Sequence, residues 1–436
     1  MGSPETLHIA IIGGGIGGLA LAVALSKSPY HNSIMVDIYE AAAEIAEIGA
    51  GIAMLPRTWE IMKILGLSTD LTGHLAHTPN TEPSIVFKFR KSDQCEGVAI
   101  KDLVMSGGMM TFHRADVQRV FLKHLGPNCR VHLSRRLVSF TESENKIQLN
   151  FGDNSRASCD LIVGADGVNS AVRKSLLRRL SPISEDLKIS IEPSWSGIVV
   201  YRGLVSSELL AQHLPGHRAL KNPMMYCGKN KHLVVYPVSQ GRLINVAAFA
   251  SQPGGEGTVF SGATVADVSN EELMTVYKGW EDEVQALLKC IEKPSRWAVH
   301  ALSPLKIYAS GQVALIGDAA HAMTPHQGSG AGQAIEDSYI LSSVIIGALH
   351  TRAPITRTTE VYSSIRQPFG NGVLSASRNQ GMLYEMTAPG FEHIQEGDST
   401  VPFSRLSDMV AKVAEGWKWA WTTSIEGDRK RALAML

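Results

Sequence analysis

"LHIAIIGGGIGGLALAVAL", residues 7 to 25, is an apolar strand, a turn of the form Gly13-x-Gly15-x-x-Gly18, and a helix with small residues on its inner side. Gly13 permits the tight turn, Gly15 lets backbone approach a pyrophosphate, and Gly18 lets the helix pack closely on the strand. The helix N-terminus offers free N–H groups and the positive end of its dipole to that pyrophosphate. A second apolar strand, "SIMVDIYE" (33–40), ends in Glu40, where an acid holds a ribose 2′-OH. Such an acid suits an adenosine without a 2′-phosphate. NAD and FAD both qualify, and this half of the chain does not separate them.

The bulk numbers narrow the class. At 436 residues the chain is too long for one simple core. Hydrophobic residues make up 44% and charged residues 19%, the balance of a folded globular protein and not of a disordered one. The 41 basic and 41 acidic side chains cancel, so no bulk field selects nucleic acid or an anionic membrane, and the expected partner is small. Cys95, Cys129, Cys159, Cys227 and Cys290 show no CxxC spacing, which points to free thiols in a reducing compartment. Leu7 to Leu25 lacks charge, yet its five glycines and the missing basic flank argue against a signal or membrane segment. "SYILSSVIIGALH" is too short to span a bilayer and reads as a buried helix. A cytoplasmic protein, monomer or homodimer, is expected.

A second glycine-rich turn lies some three hundred residues away. "GQVALIGDAAHAMTPHQGSGAGQAIED" (311–337) places Asp318 at a strand end, then Gly328, Gly330 and Ala331 at the start of a helix. If the first loop holds the adenosine end of a long cofactor, this one can hold the other end. Asp318 can accept from ribityl hydroxyls, and a helix starting near Gly330 can aim its dipole at a flavin pyrimidine edge, where negative charge gathers on reduction. NAD has no part that needs such a site.

With these motifs in order, the sequence resembles the single-component aromatic hydroxylases, flavoprotein monooxygenases with the para-hydroxybenzoate hydroxylase fold. The resemblance rests on Gly13-x-Gly15-x-x-Gly18 with Glu40, on "DLIVGADGVNSAVR" (160–173) and on "GDAAHAMTP" (317–325). "EIGAGIAMLP" (47–56), "HRADV" (113–117) and "GWKWAWTTSIEGD" (416–428) are similar to the salicylate hydroxylase-like branch, and fungal phenol hydroxylases share the pattern. The resemblance implies bound FAD, with NADH or NADPH as a transiently docking co-substrate. It assigns Gly51, Ala53 and Arg114 to the cofactor, and has Asp166 and Arg173 brace the pyrophosphate side and the nicotinamide face. Read by itself, Asp166-Gly167 has the structural alternative of a turn after the strand.

The implied chemistry is transfer of one oxygen from a flavin C4a-hydroperoxide to an electron-rich ring, for which a phenol is held as its phenolate and water is kept out. Arg202 in "VVYRGLV" is the candidate catalytic cation, since an arginine after an apolar strand segment needs an anionic partner. A protein carboxylate is the structural alternative. Tyr236 in "HLVVYPV" is the candidate second donor, with Tyr226 next. Met54, Phe112 and Pro325 are expected in an apolar wall. His321 and His326 flank the second turn and are read as packing and backbone-bonding residues, and neither has a metal-ligand spacing, so no metal is implied. The substrate reads as a salicylate-like acid or polyketide-type phenol, hydroxylated with or without decarboxylation or dearomatisation. A flavoprotein reductase or dehydrogenase of the same fold, which inserts no oxygen, is the alternative, and a non-catalytic flavin-binding protein is a third.

The expected fold is α/β. A Rossmann-type FAD-binding domain (1–75, 110–180 and 305–365) receives an inserted β-rich substrate domain (76–109 and 181–304), followed by a C-terminal helical region (366–436). Within the insert, residues 251–270 read as a surface loop and 271–291 as helical.

Overall fold

The computed structural model describes residues 6–45, 51–75, 77–143 and 146–436, so part of the "EIGAGIAMLP" motif, residues 47–50, lies outside the described residues. The short apolar runs of the sequence become a six-stranded sheet in the order Ala309–Ser310, Val313–Leu315, Leu161–Gly164, Leu7–Ile12, Ile34–Tyr39, Cys129–His132. It is parallel except for the hairpin at its edge. Helices cover both faces, which is why its central strands carry near-continuous rather than alternating apolar residues. Ile11 pairs with Val163 and Val163 with Ala314, so three distant segments share one hydrogen-bonded core.

That pairing explains the separation of the two glycine-rich turns. The strands before them are one strand apart, and the helices after them, Ile16–Ser26 and Gly330–Thr351, lie against each other. A Cβ on Gly17 would meet the Ala334 Cβ at 3.2 Å, and Ser338 Oγ donates to the Gly17 carbonyl at 2.8 Å. Gly13 has φ +112°, and a Cβ there would lie 2.3 Å from the Ala165 carbonyl oxygen, so the turn admits no side chain.

A second, eight-stranded sheet runs Val265–Asp267, Ser295–Ala301, Ser194–Ser206, Leu243–Glu256, Lys231–Val238, Met224–Gly228, Pro83–Lys91, Val98–Ser106. It is antiparallel save for Met224–Gly228 against Pro83–Lys91. One face is sealed by Leu210, Tyr277, Val284 and Leu287, packed on Tyr226, Leu233, Val235 and Val246. The other face is available to a site.

Three details differ from the sequence expectation. Strand Leu243–Glu256 continues into the expected loop because its end stays paired, Ser196 against Glu256. The expected helix over 271–291 is two helices, Asn270–Val276 and Asp282–Lys289, broken where Gly279 takes φ +85°. A helix of 30 residues, Ile355–Tyr384, runs through the expected boundary at 365/366. The five cysteines are free. Among the described residues no helix is long and apolar enough to cross a membrane.

Candidate active site

Between the two sheets lies a cavity of about 920 Å³. One end is glycine backbone and helix termini: Gly15, Gly51, Gly167, Gly317, Gly328 and Gly330, with Ala53, Arg114, Asp318 and Ala331 beside them. A Cβ on Gly15, Gly167 or Gly328 would meet nothing within 4 Å, so these backbones face open space. The 22-residue helix Gly330–Thr351 points its N-terminus, and hence its unsatisfied N–H groups, into the same space. A groove bordered by two helix N-termini and bare backbone fits a long anionic cofactor with a pyrophosphate at one end and an electron-accepting ring at the other. FAD has both parts.

Gly15, Gly51, Ala53, Arg114, Asp318, Gly328, Gly330 and Ala331 therefore border one cavity. Gly13, Gly18, Glu40 and Asp166 stand behind it. Glu40 accepts from Gly14 N and Ala42 N, both at 2.8 Å. The Asp166 carboxylate accepts from Ser170 Oγ, from Ala171 N at 2.7 Å and from Val172 N at 3.2 Å, which braces the start of helix Ala171–Leu180. Burial pushes that carboxyl up, and these donors pull it back. Arg173 is fully buried and donates to the carbonyls of Val168, Ile191 and Ala319, tying the middle motif to the second turn.

The other end of the cavity is the open face of the eight-stranded sheet. Side chains alternate across a sheet. Arg202, Asn245, Ala247, Phe249, Val234, Tyr236, Met225 and Phe87 line the cavity accordingly, while Leu233, Val235 and Val246 face the opposite core. Arg202 pairs with Ala247, Ala247 with Val234, and Val234 with Met225, one row across four strands. Tyr236 is one position along, paired with Asn245.

Arg202 has no carboxylate partner among the described residues, and its guanidinium lies over the Trp297 ring at 5.4 Å. Burial disfavours its charge, the nearby Tyr236 supports it, and Arg114 opposes it. A half-buried cation left in this condition, facing a cavity, is a receptor for an anion. Burial raises the Tyr236 hydroxyl, partly offset by Arg202, so it stays a donor. Phe87, stacked on Trp417 at 6.2 Å, joins Met225, Val234 and Phe249 in an apolar stretch of the wall, while Ser206, Glu292, Lys293 and Ser295 also line the cavity.

Other expectations change. Met54 and Phe112 are core residues and do not line the cavity, since their strands pair with each other and Phe112 stacks on Trp59; Pro325 does line it. Tyr226 sits in the sealed core of the sheet. His321 is spent on Asp337 at 2.6 Å. His326, read as a packing and backbone-bonding residue, bonds backbone as expected, its Nδ1 donating to the Ser377 carbonyl at 3.2 Å, and it also borders the cavity, while its buried Nε2 has no partner among the described residues. Burial, aided by His232, pushes its pKa well below the usual histidine range, so the ring is neutral. The sequence signal was present in "TPHQG", a histidine inside the flavin-end turn, but its orientation comes from a helix fifty residues on. His326, His232 and Glu385 also form a buried group that no sequence spacing announced.

A family model described as "FAD binding domain" matches residues 6–377. The chain is 35% identical to a salicylate hydroxylase of Pseudomonas putida over 97% of this chain and 93% of that one. It is 32% identical to a 6-methylsalicylate 1-monooxygenase of Aspergillus terreus, over 87% and 83% of the two chains. Among solved structures, a salicylate hydroxylase substrate complex superposes with a TM-score of 0.83 at 30% identity, covering 99% of this chain and 98% of that one.

Proposed function

From the premise that the chain belongs to the FAD binding domain family, and is an FAD-dependent aromatic hydroxylase of the salicylate hydroxylase-like branch, we propose that it hydroxylates a single-ring phenol carrying one anionic group, at the expense of NADH or NADPH. The observation that carries this reading is Arg202, a half-buried cation with no carboxylate partner among the described residues, set beside Tyr236 on the sheet face that opens onto the glycine-lined groove. The acids in the printed names of two relatives, salicylate and 6-methylsalicylate, are of this chemical class.

FAD, when bound and reduced, supplies the activation of O2 and the oxygen atom that enters the ring. Gly15 and the first helix would hold its pyrophosphate, Asp318 its ribityl hydroxyls, and the Gly330 helix its ring. Arg202 would bind the anionic oxygen of the substrate and Tyr236 would donate a second hydrogen bond, which together keep the ring electron-rich and fixed in position. Phe87, Met225, Val234, Phe249 and Trp417 would exclude water. The division into an FAD-binding part (1–75, 110–180, 305–365), a substrate part (76–109, 181–304) and a C-terminal helical part (366–436) follows the same logic, with the helix Ile355–Tyr384 bridging the last boundary.

The test is the mass of the product formed from FAD-loaded protein, NADH or NADPH, and a panel of phenolic acids and phenolic aldehydes in air. One oxygen gained with CO2 lost marks a salicylate-type decarboxylative hydroxylation. One oxygen gained alone marks simple or dearomatising hydroxylation. Substrate-stimulated NAD(P)H oxidation with no oxygen in any product rejects the proposal in favour of a reductase of the same fold.

A further inference from the structure

Asn245 faces the cavity from the strand Leu243–Glu256, which runs through the cavity face of the sheet between Ser194–Ser206 and Lys231–Val238. Along that strand Asn245, Ala247 and Phe249 line the cavity, while Ile244, Val246 and Ala248 are fully buried in the opposite core.

Ala247 sits at the centre of this face. Its partners on the flanking strands are Arg202 and Val234, at the ~5 Å of directly opposed side chains. Asn245 and Phe249 stand ~7 Å away along its own strand, two residues in either direction. A methyl group among four longer side chains makes a shallow seat on which a flat ring can lie. Two adjacent walls of the seat are polar, Arg202 and Asn245. The other two, Val234 and Phe249, are apolar.

The half-buried Asn245 amide makes no hydrogen bond to any other described residue. Tyr236 is directly opposite on the next strand, but its hydroxyl reaches Gly51, where an added Cβ would meet it at 2.6 Å. The other polar side chains at this end are engaged or wet. Ser206 Oγ accepts from Leu209 N at 3.4 Å, Ser295 Oγ accepts from Trp297 Nε1 at 2.9 Å, and Glu292 and Lys293 are exposed. Arg202 can only donate, so it selects an anion and cannot read a neighbouring hydroxyl. The Asn245 Oδ1 places an acceptor at the same corner of the seat.

We propose, resting on the reading of the substrate as an anionic phenol, that Asn245 is a specificity-determining residue. With the ring over Ala247 and its anionic oxygen on Arg202, the Asn245 amide oxygen accepts from a neutral hydroxyl or amino group on the same ring. The directions across and along antiparallel strands meet at a right angle, so this second group lies ortho or meta to the anionic substituent. The para position points at Val234, where a polar group would lose its water and gain no partner. The substrate class is therefore a hydroxy- or aminoaryl anion whose two polar groups sit on one side of the ring.

The experiment titrates FAD-loaded protein with 2-, 3- and 4-hydroxybenzoate and with the three matching fluorobenzoates, which are similar in shape but carry no donor, and follows the flavin absorbance. Wild type should prefer hydroxyl to fluorine about tenfold in the 2- or the 3-isomer, the worth of one hydrogen bond to an otherwise unpaired amide. It should show no such preference in the 4-isomer. Asn245→Leu should bring the preferred ratio to about one. Asn245→Asp keeps the acceptor and should retain the ratio while weakening all six acids by charge repulsion. A hydroxyl preference that survives in Asn245→Leu overturns the assignment, and loss of the ratio in Asn245→Asp as well would make Asn245 a packing residue and also overturns it. So does a wild type whose preference is absent from every isomer or is as large in the 4-isomer, a comparison that stands even if a variant misfolds. A wild type that binds none of the six acids rejects the anionic-phenol reading itself.

Discussion

Replacing Arg366 by methionine should cost more than any other single change outside the cavity. Its guanidinium is fully buried and donates to Asp337 Oδ1 at 2.8 Å, Glu336 Oε2 at 3.0 Å and Gln333 Oε1 at 2.7 Å. Arg366→Met strands two buried carboxylates at once. Each keeps some support: Glu336 retains Arg57 at 3.2 Å, and Asp337 retains His321 at 2.6 Å and the Gly317 N–H at 2.9 Å. The loss should therefore stay near the ~3–5 kcal/mol of one broken buried pair and not double it. Against a total stability of roughly 5–15 kcal/mol, that is a large share. The assay is urea unfolding at saturating FAD, followed by far-UV circular dichroism and by flavin fluorescence.

The same variant makes a pH prediction. Burial pushes the Asp337 carboxyl up, but His321 and Arg366 outweigh it and hold it below the ordinary carboxylate range. A depressed carboxyl stabilises the fold above its unfolded pKa of about 3.9 and loses that contribution as pH falls through the lower folded value. Wild type should hold this contribution down to about that pH, whereas Arg366→Met should begin to lose it at higher pH. A loss below about 1 kcal/mol, with an unchanged acid limb, would refute the claim that Arg366 compensates these carboxylates.

Asp318→Ala should weaken FAD retention, and a purified variant with full flavin occupancy would remove Asp318 from the flavin end. Arg202→Gln should leave bound FAD intact and raise the substrate dissociation constant about 10- to 100-fold, the worth of a charge-assisted hydrogen bond; unchanged substrate kinetics would take Arg202 out of the site. A Cβ on Gly51 would stand 2.6 Å from the Tyr236 hydroxyl. Gly51→Ala should thus displace that donor and lower kcat/KM up to about 100-fold, the scale of an ångström-sized misplacement, and normal turnover would show that Tyr236 has no part in catalysis.

The cofactor groove was legible because its determinants are local: glycines at fixed offsets, an acid at a strand end, a helix start. Gly13, Gly15, Asp318 and Gly330 could be read without knowing what they touch. The cavity face of the second sheet was legible only where a charge broke an apolar strand, as at Arg202. Met54 and Phe112 misled because adjacency to a motif says nothing of which face a strand presents, and theirs face the core. His326, read as packing and backbone-bonding, does bond the Ser377 carbonyl and pack on aromatic rings; what was not legible is its neighbours His232 and Glu385, 153 residues apart in sequence. The buried network around Arg366 was invisible for a related reason. Arg57, Glu336, Arg366 and Asp428 look like ordinary helix charges until helix packing removes their water.

The cavity wall is one face of one sheet, while the cofactor groove belongs to another, with separate cores. Met225, Val234, Asn245 and Ala247 are settings that can be changed without disturbing their immediate chain neighbours, which point into the opposite core. A lineage, or a mutagenesis library, can therefore redraft the accepted ring at positions 87, 225, 234, 245, 247 and 249 while inheriting the redox half unaltered. Such separability lets a single scaffold diversify into many hydroxylases by small steps, none of which has to rebuild its cofactor site.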